Sequence, residues 1–216
     1  MKRLISLAKR RRIKIAKSQL ILLKAFAFGL ALILLLAVAG YYRSQAVNQH
    51  QQDEAALAKK KALASKWAFI KAIAPIAQRE DKPYGLYPSV TIAQACLESD
   101  FGQSTLSERY NNLFGVKGSD PNTTKEMTTK EFVNGKWLTT TGRFQIYDSY
   151  ESAIRANTAL FVNGTTWNAK QYQHVLQAKN WREQAQALQT DGYATDPDYT
   201  AKVIALVEEF DLTQYD

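Results

Sequence analysis

The sequence predicts an α+β chain that is mostly helical, with one small antiparallel β-hairpin and a transmembrane helix ahead of the globular part. Three observations carry this. Trp67, Ile70, Ile73, Ala74 and Ala77 recur at helical spacing. The pair Asn134-Gly135 lies between the arms Glu131-Phe132-Val133 and Lys136-Trp137-Leu138-Thr139, a strong hairpin signal. Residues 25–42 carry no charge at all.

Residues 1–24 hold nine Lys and Arg and no acid, against a formal net charge of +8 for all 216 residues, so the remainder is close to neutral. A nucleic-acid binder spreads its cations over a folded face, whereas these sit in a tail before an apolar segment; no nucleic-acid partner is expected. The tail reads as cytoplasmic. Residues 25–42, extended by Leu20–Leu23, suffice to cross a hydrocarbon core of about 30 Å, with cations on one flank and Tyr41, Tyr42 and Arg43 on the other. Positive residues stay inside, which predicts a single-pass anchor in the cell membrane with the C-terminal domain outside. Ala37-Val38-Ala39 also has the form of a signal-peptide cleavage site, so processing after Ala39 would give a secreted form. Residues 43–66, with few large apolar groups and a Lys59-Lys60-Lys61 run, read as a polar stalk.

Residues 67–216 form the expected domain. A Lys82-Pro83-Tyr84-Gly85 break ends the first helix, and Pro88 opens a second one. After the hairpin, Arg143–Tyr147 reads as a third strand, and Asp148 with Glu151 as the capping pair of a helix containing Ile154, Leu160 and Phe161. Asp196-Pro197 opens a last helix with Tyr199, Val203, Leu206, Val207 and Phe210.

The chemistry concentrates in Ala93-Gln94-Ala95-Cys96-Leu97-Glu98-Ser99-Asp100-Phe101-Gly102-Gln103-Ser104, which delivers one carboxylate from the end of an apolar helix into a Gly-containing turn. Beside Ala95, Cys96 and Leu97, the Glu98 carboxyl is partly desolvated, which raises its proton affinity toward that of a general acid. Glycoside hydrolysis needs such a group next to the leaving oxygen. Phe101, Tyr110 and Phe114 offer flat faces to sugar rings, and Asn112 offers hydrogen bonds to sugar hydroxyls or an acetamide. Phe114 reads equally as a core residue. Other chemistries fit poorly. His50 and His174 lack zinc-ligand spacing, so no metal or cofactor is expected, and Cys96, the single cysteine, reads as packed rather than nucleophilic.

This stretch, together with Asn111-Asn112-Leu113-Phe114-Gly115-Val116-Lys117-Gly118 and, far downstream, Gly192-Tyr193-Ala194-Thr195-Asp196-Pro197-Asp198-Tyr199, resembles the signature of glycoside hydrolase family 73, the FlgJ-type and autolysin-type bacterial glucosaminidases. Two separated motifs in the right order make the resemblance specific. Asp100 stands where that family usually has Gly, and Phe101 where it usually has Trp.

The resemblance implies a lysozyme-like domain in which a helical lobe and a hairpin-bearing lobe flank a groove, acting on the glycan strands of peptidoglycan. It implies β-1,4 cleavage beside N-acetylglucosamine, with Glu98 as acid, Glu131 on the first hairpin arm as base or charge stabiliser, and Tyr193 as an orienting group. Glu126 is the alternative second carboxylate, and attack by the substrate's own acetamido oxygen would lessen the need for either. A muramidase, a lytic transglycosylase and a non-catalytic wall-binding protein are the rival readings.

Overall fold

The computed structural model describes the backbone of residues 2–133 and 136–216, and the side chains of these except for 2–16, 18 and 129–138. The chain divides into two compact units, Met1–Lys61 and Ala62–Asp216. The first unit is the N-terminal stretch of helix α1 (Lys2–Asp81). The helix over Gln19–Tyr84 contains an 18-residue window of mean hydropathy 2.7, long and apolar enough to cross a membrane, and none of that window is buried. Leu22, Phe26 and Leu35 are among its exposed apolar side chains.

In the second unit α1 continues to Asp81 and buries Ile70, Ile73, Ala74 and Ala77, the face that the helical spacing marks as apolar. Gly85, in the left-handed region at φ 73°, closes the Lys82–Tyr84 turn where the sequence signals a break. Then come α2 (Pro88–Ser99), α3 (Thr105–Tyr110), β1 (Thr124–Val133), β2 (Lys136–Gln145), α4 (Tyr150–Asn163), α5 (Gln173–Gln177), α6 (Trp181–Thr190) and α7 (Tyr199–Glu209). Pro88 occupies the first turn of α2, where a missing N–H costs nothing. Ile92, Leu113, Ile154, Phe161, Leu188, Phe210 and Leu212 are fully or almost fully buried, so one core joins α1, α2, α4, α6 and α7.

Three local expectations are corrected. The sheet has two strands: Arg143–Gln145 belongs to β2, because Gly142 stays in register opposite Met127 instead of breaking the arm. The α4 cap is Ser149, whose hydroxyl accepts from the Ser152 N–H at 3.2 Å, while the Ser152 hydroxyl accepts from the Ser149 N–H at 3.1 Å. Glu151 instead pairs with Arg155 at 2.7 Å and Arg79 at 3.1 Å. Helix α7 starts after Asp198 rather than at Asp196-Pro197. The turn Asn134-Gly135 lies outside the described residues, and the arms on either side pair antiparallel, Glu131 opposite Leu138 and Val133 opposite Lys136.

Candidate active site

Helix α2 is buried along nearly all of its 12 residues, with Leu97 and Glu98 as the exceptions. It therefore runs through the core and surfaces at one turn. Beyond Ser99 the backbone bends sharply: Asp100 and Phe101 adopt left-handed conformations at φ 50° and 54°, and Gly102 at φ 81°. Asp100 tolerates this conformation at a cost that glycine would avoid, of about 1 kcal/mol. Gly102 has no alternative, since a Cβ there would strike the Phe69 ring at 2.7 Å. Ser99 holds the bend, its hydroxyl accepting from the Gly102 N–H at 2.8 Å.

Leu97 and Glu98 open into a groove of about 800 Å³. Its walls are the Phe114–Lys117 loop, Leu160 of α4, Thr165 and Trp167 in the loop beyond α4, Tyr172, the 193–196 turn, and Tyr199 and Lys202 of α7. Glu98 is exposed within the groove, yet desolvation is the leading influence on its carboxyl and raises its proton affinity. Both facts hold in a concave site: water reaches the group from one side, while protein displaces bulk solvent on the others. A hydrogen bond from Tyr199 opposes the rise, Asp196 adds to it, and Lys202 opposes it. Lys202 is itself bound to Asp196 at 2.5 Å, so its charge is partly neutralised before it reaches Glu98.

Behind the carboxyl lies a cluster of rings. Tyr193 stacks 5.8 Å from Tyr199 and 5.8 Å from Phe161, and Phe161 meets Tyr172 at 5.2 Å. Burial pushes the Tyr193 and Tyr199 phenols well above their usual range, with the nearby Glu98 charge adding to both. Both therefore stay protonated and present a neutral hydroxyl rather than a phenolate. The Tyr199 hydroxyl accepts from Gln94 Nε2 at 3.3 Å and faces Glu98, and Tyr193 donates to Asn157 Oδ1 at 3.5 Å.

The groove thus brings together Glu98, Phe114 and Tyr193 among the residues singled out from the sequence. Phe101 is corrected: it is 8% exposed and packs 5.3 Å from Phe210, with Lys66 Nζ 4.5 Å from its ring centroid, so neither face is open to a sugar. Asn112 is corrected too. At 1% exposure its amide donates to the Val116 and Gln145 carbonyls, both at 2.9 Å, and accepts from the Phe114 and Val116 N–H groups, which leaves nothing for a ligand. It shapes the loop that presents Phe114. Tyr110 is half-buried at the end of α3 and does not line the groove. The Glu131 side chain lies outside the described residues. Glu126 is exposed, pairs with Arg143 at 3.5 Å and does not line the groove.

Sequence reasoning missed Trp167, Tyr172, Lys202 and the role of Tyr199. The signal for Trp167 was present: a tryptophan in the polar run Asn163-Gly164-Thr165-Thr166-Trp167-Asn168 has no periodic partners to bury it. Cys96 is buried, and desolvation raises its thiol to about 12, so it is inert. Among the described residues no His, Cys, Asp and Glu cluster is arranged to hold a metal ion.

The profile of the glucosaminidase family, described as mannosyl-glycoprotein endo-beta-N-acetylglucosaminidase, matches residues 74–212. The chain belongs to this family of glycoside hydrolases. The exo-glucosaminidase LytG of Bacillus subtilis is 47% identical over 148 residues, covering 68% of this chain and 52% of that protein. A probable N-acetylmuramidase of Lactococcus lactis subsp. cremoris is 38% identical over 156 residues, covering 69% of this chain and 35% of that protein. The chain thus spans about half or less of the curated relatives it matches. The catalytic domain of the autolysin Auto from Listeria monocytogenes superposes with TM-score 0.64 at 35% identity, covering 73% of this chain and 95% of that domain. This member of the family therefore has the mostly helical, lysozyme-like fold with a two-stranded sheet.

Proposed function

We propose that this glucosaminidase is a peptidoglycan hydrolase that cleaves β-1,4 glycosidic bonds next to N-acetylglucosamine, with Glu98 as general acid. The observation that carries the reading is the placement of Glu98: a carboxyl of raised proton affinity, open to the groove at the one turn where α2 leaves the core. A protonated carboxyl there donates its hydrogen to the leaving glycosidic oxygen as the bond to the anomeric carbon breaks. Tyr193, kept protonated beneath the groove, orients the acetamido group or the attacking water. Glu131 acts as base or charge stabiliser from the hairpin arm. The names of the LytG, autolysin and FlgJ relatives support the substrate class.

The apolar helix within Gln19–Tyr84 anchors residues 67–216 on the outer face of the cell membrane, with residues 1–24 in the cytoplasm and 43–66 as a stalk. Such a tether raises the effective concentration of enzyme at the wall. Cleavage after Ala39 gives the alternative, secreted form.

A muramidase cut is the second reading, favoured by the N-acetylmuramidase relatives. Mass spectrometry of fragments released from purified wall separates the cases. Reducing-end N-acetylglucosamine is the expected product; reducing-end N-acetylmuramic acid would establish the muramidase, and its anhydro form a lytic transglycosylase. Binding without new reducing ends would identify a non-catalytic wall protein.

A further inference from the structure

We propose that Trp167 is the stacking platform of a distal sugar subsite in the groove, a ligand position that rests on the reading of the substrate as a β-1,4-linked glycan. Two independent features of the structure point to it. Trp167 is 81% exposed, and it lines the same groove as Glu98. An indole left in water forgoes the burial that ordinarily holds a tryptophan inside, and rings that cover carbohydrate need one open apolar face.

The second feature is the turn that carries it. Thr165 and Asn168 bridge in both directions, Thr165 N–H to the Asn168 carbonyl at 2.9 Å and Asn168 N–H to the Thr165 carbonyl at 3.2 Å. The Thr165 hydroxyl accepts a further bond from the Asn168 N–H at 3.1 Å, and Asn168 Oδ1 accepts from the Lys170 N–H at 3.0 Å. Gly164, at φ 71°, makes this closure possible, because a Cβ there would run into the Asn168 and Ala169 carbonyls. The loop is therefore built, and it presents an exposed, rigid aromatic side chain.

The neighbouring rings Tyr172, Tyr193 and Tyr199 are committed to one another behind Glu98, whereas Trp167 has no ring partner among the described residues. A groove of about 800 Å³ also exceeds what one sugar ring at Glu98 fills, since pockets of about 300–1,000 Å³ house whole drug-sized ligands. The apolar face of a pyranose ring in the next stretch of strand fits this position. The platform then holds the strand so that the scissile oxygen rests at Glu98.

The test uses the full-length chain in detergent micelles, purified peptidoglycan and soluble β-1,4-linked N-acetylglucosamine oligomers of increasing length. In a Glu98→Gln background, Trp167→Ala should weaken wall binding about tenfold, the loss of one aromatic anchor, and Trp167→Tyr should recover most of it. With Glu98 intact, the loss should fall on KM rather than kcat and grow with oligomer length. Unchanged affinity in Trp167→Ala, or a lowered melting temperature that Trp167→Tyr shares, overturns the platform. If the Glu98→Gln chain with Trp167 in place fails to bind wall or oligomers, the glycan reading itself falls, and the platform with it.

Discussion

The two ends of helix α2 each lie beside a carboxyl with raised proton affinity, and they have opposite fates. At the N-terminal end Asp81 is 0% exposed, accepts from the Thr158 hydroxyl at 2.5 Å, and is pushed up to about 6, chiefly by desolvation. Close by, Asp216 accepts from the Ser89 N–H at 2.8 Å and the Ser89 hydroxyl at 2.9 Å, closing that end of the helix. At the C-terminal end Glu98 is raised by the same physical cause, but it opens into the groove. Desolvation alone therefore does not locate chemistry. A proton held where no substrate reaches is a matter of stability, and a proton held at a groove wall is available to a leaving group.

The widest separation between the two ends comes from neutralising each carboxyl. Glu98→Gln should lower wall hydrolysis by about 10²–10⁴-fold, with the melting temperature nearly unchanged; activity within a few-fold of the parent, measured as reducing ends released, would remove the acid assignment. Asp81→Asn should do the reverse.

Because the folded pKa of Asp81 lies above the unfolded value of 3.8, the folded state binds that proton more tightly. This carboxyl's penalty is in force above about pH 6 and is relieved as the pH falls through 6 toward 3.8. The full effect is about 3 kcal/mol. The parent should therefore gain melting temperature between pH 7 and pH 5 relative to Asp81→Asn, whose curve lacks that contribution. Parallel curves for the two proteins would show that Asp81 titrates normally.

Tyr199→Phe sharpens the comparison at the Glu98 end with the smallest effect. The Tyr199 hydroxyl favours the Glu98 anion, so its removal keeps Glu98 protonated to higher pH and moves the alkaline limb of the kcat/KM profile upward. Gln94 loses its acceptor as well, at a cost of about 1 kcal/mol in stability. A limb that stays in place, or moves to lower pH, would assign the control of Glu98 elsewhere.

Much of the fold was legible in the chain because its signals are local. The spacing of Ile70, Ile73 and Ala77, the proline at the start of α2 and the strand arms around Asn134-Gly135 each act within a turn or two. Helices α3, α5 and α6 were missed, and they have only 6, 5 and 10 residues. Helices this short form through tertiary packing rather than through their own propensity. Helix α6 illustrates this, since its inner face mixes the polar Gln184 and small Ala185 and Ala187 with Leu188 and a partly buried Trp181, a weak apolar signal in the chain.

What the sequence by itself determined is the family, the first and last helices with the hairpin between them, and the position of Glu98 at the exit of an apolar helix, all of which arise from signals local in the chain. The tertiary structure alone decided which polar and aromatic groups meet that carboxyl. Phe101 was a candidate on paper and Trp167 was not, yet packing put the first against Phe210 and left the second at the groove. Asn112 commits its hydrogen bonds to its own loop and the end of β2, while Tyr199, on the buried face of α7, turns its hydroxyl to Glu98. The reason is geometric: periodicity fixes which side of a helix is apolar, but the partner that side meets, and the gap left between partners, arise only when distant segments close on one another.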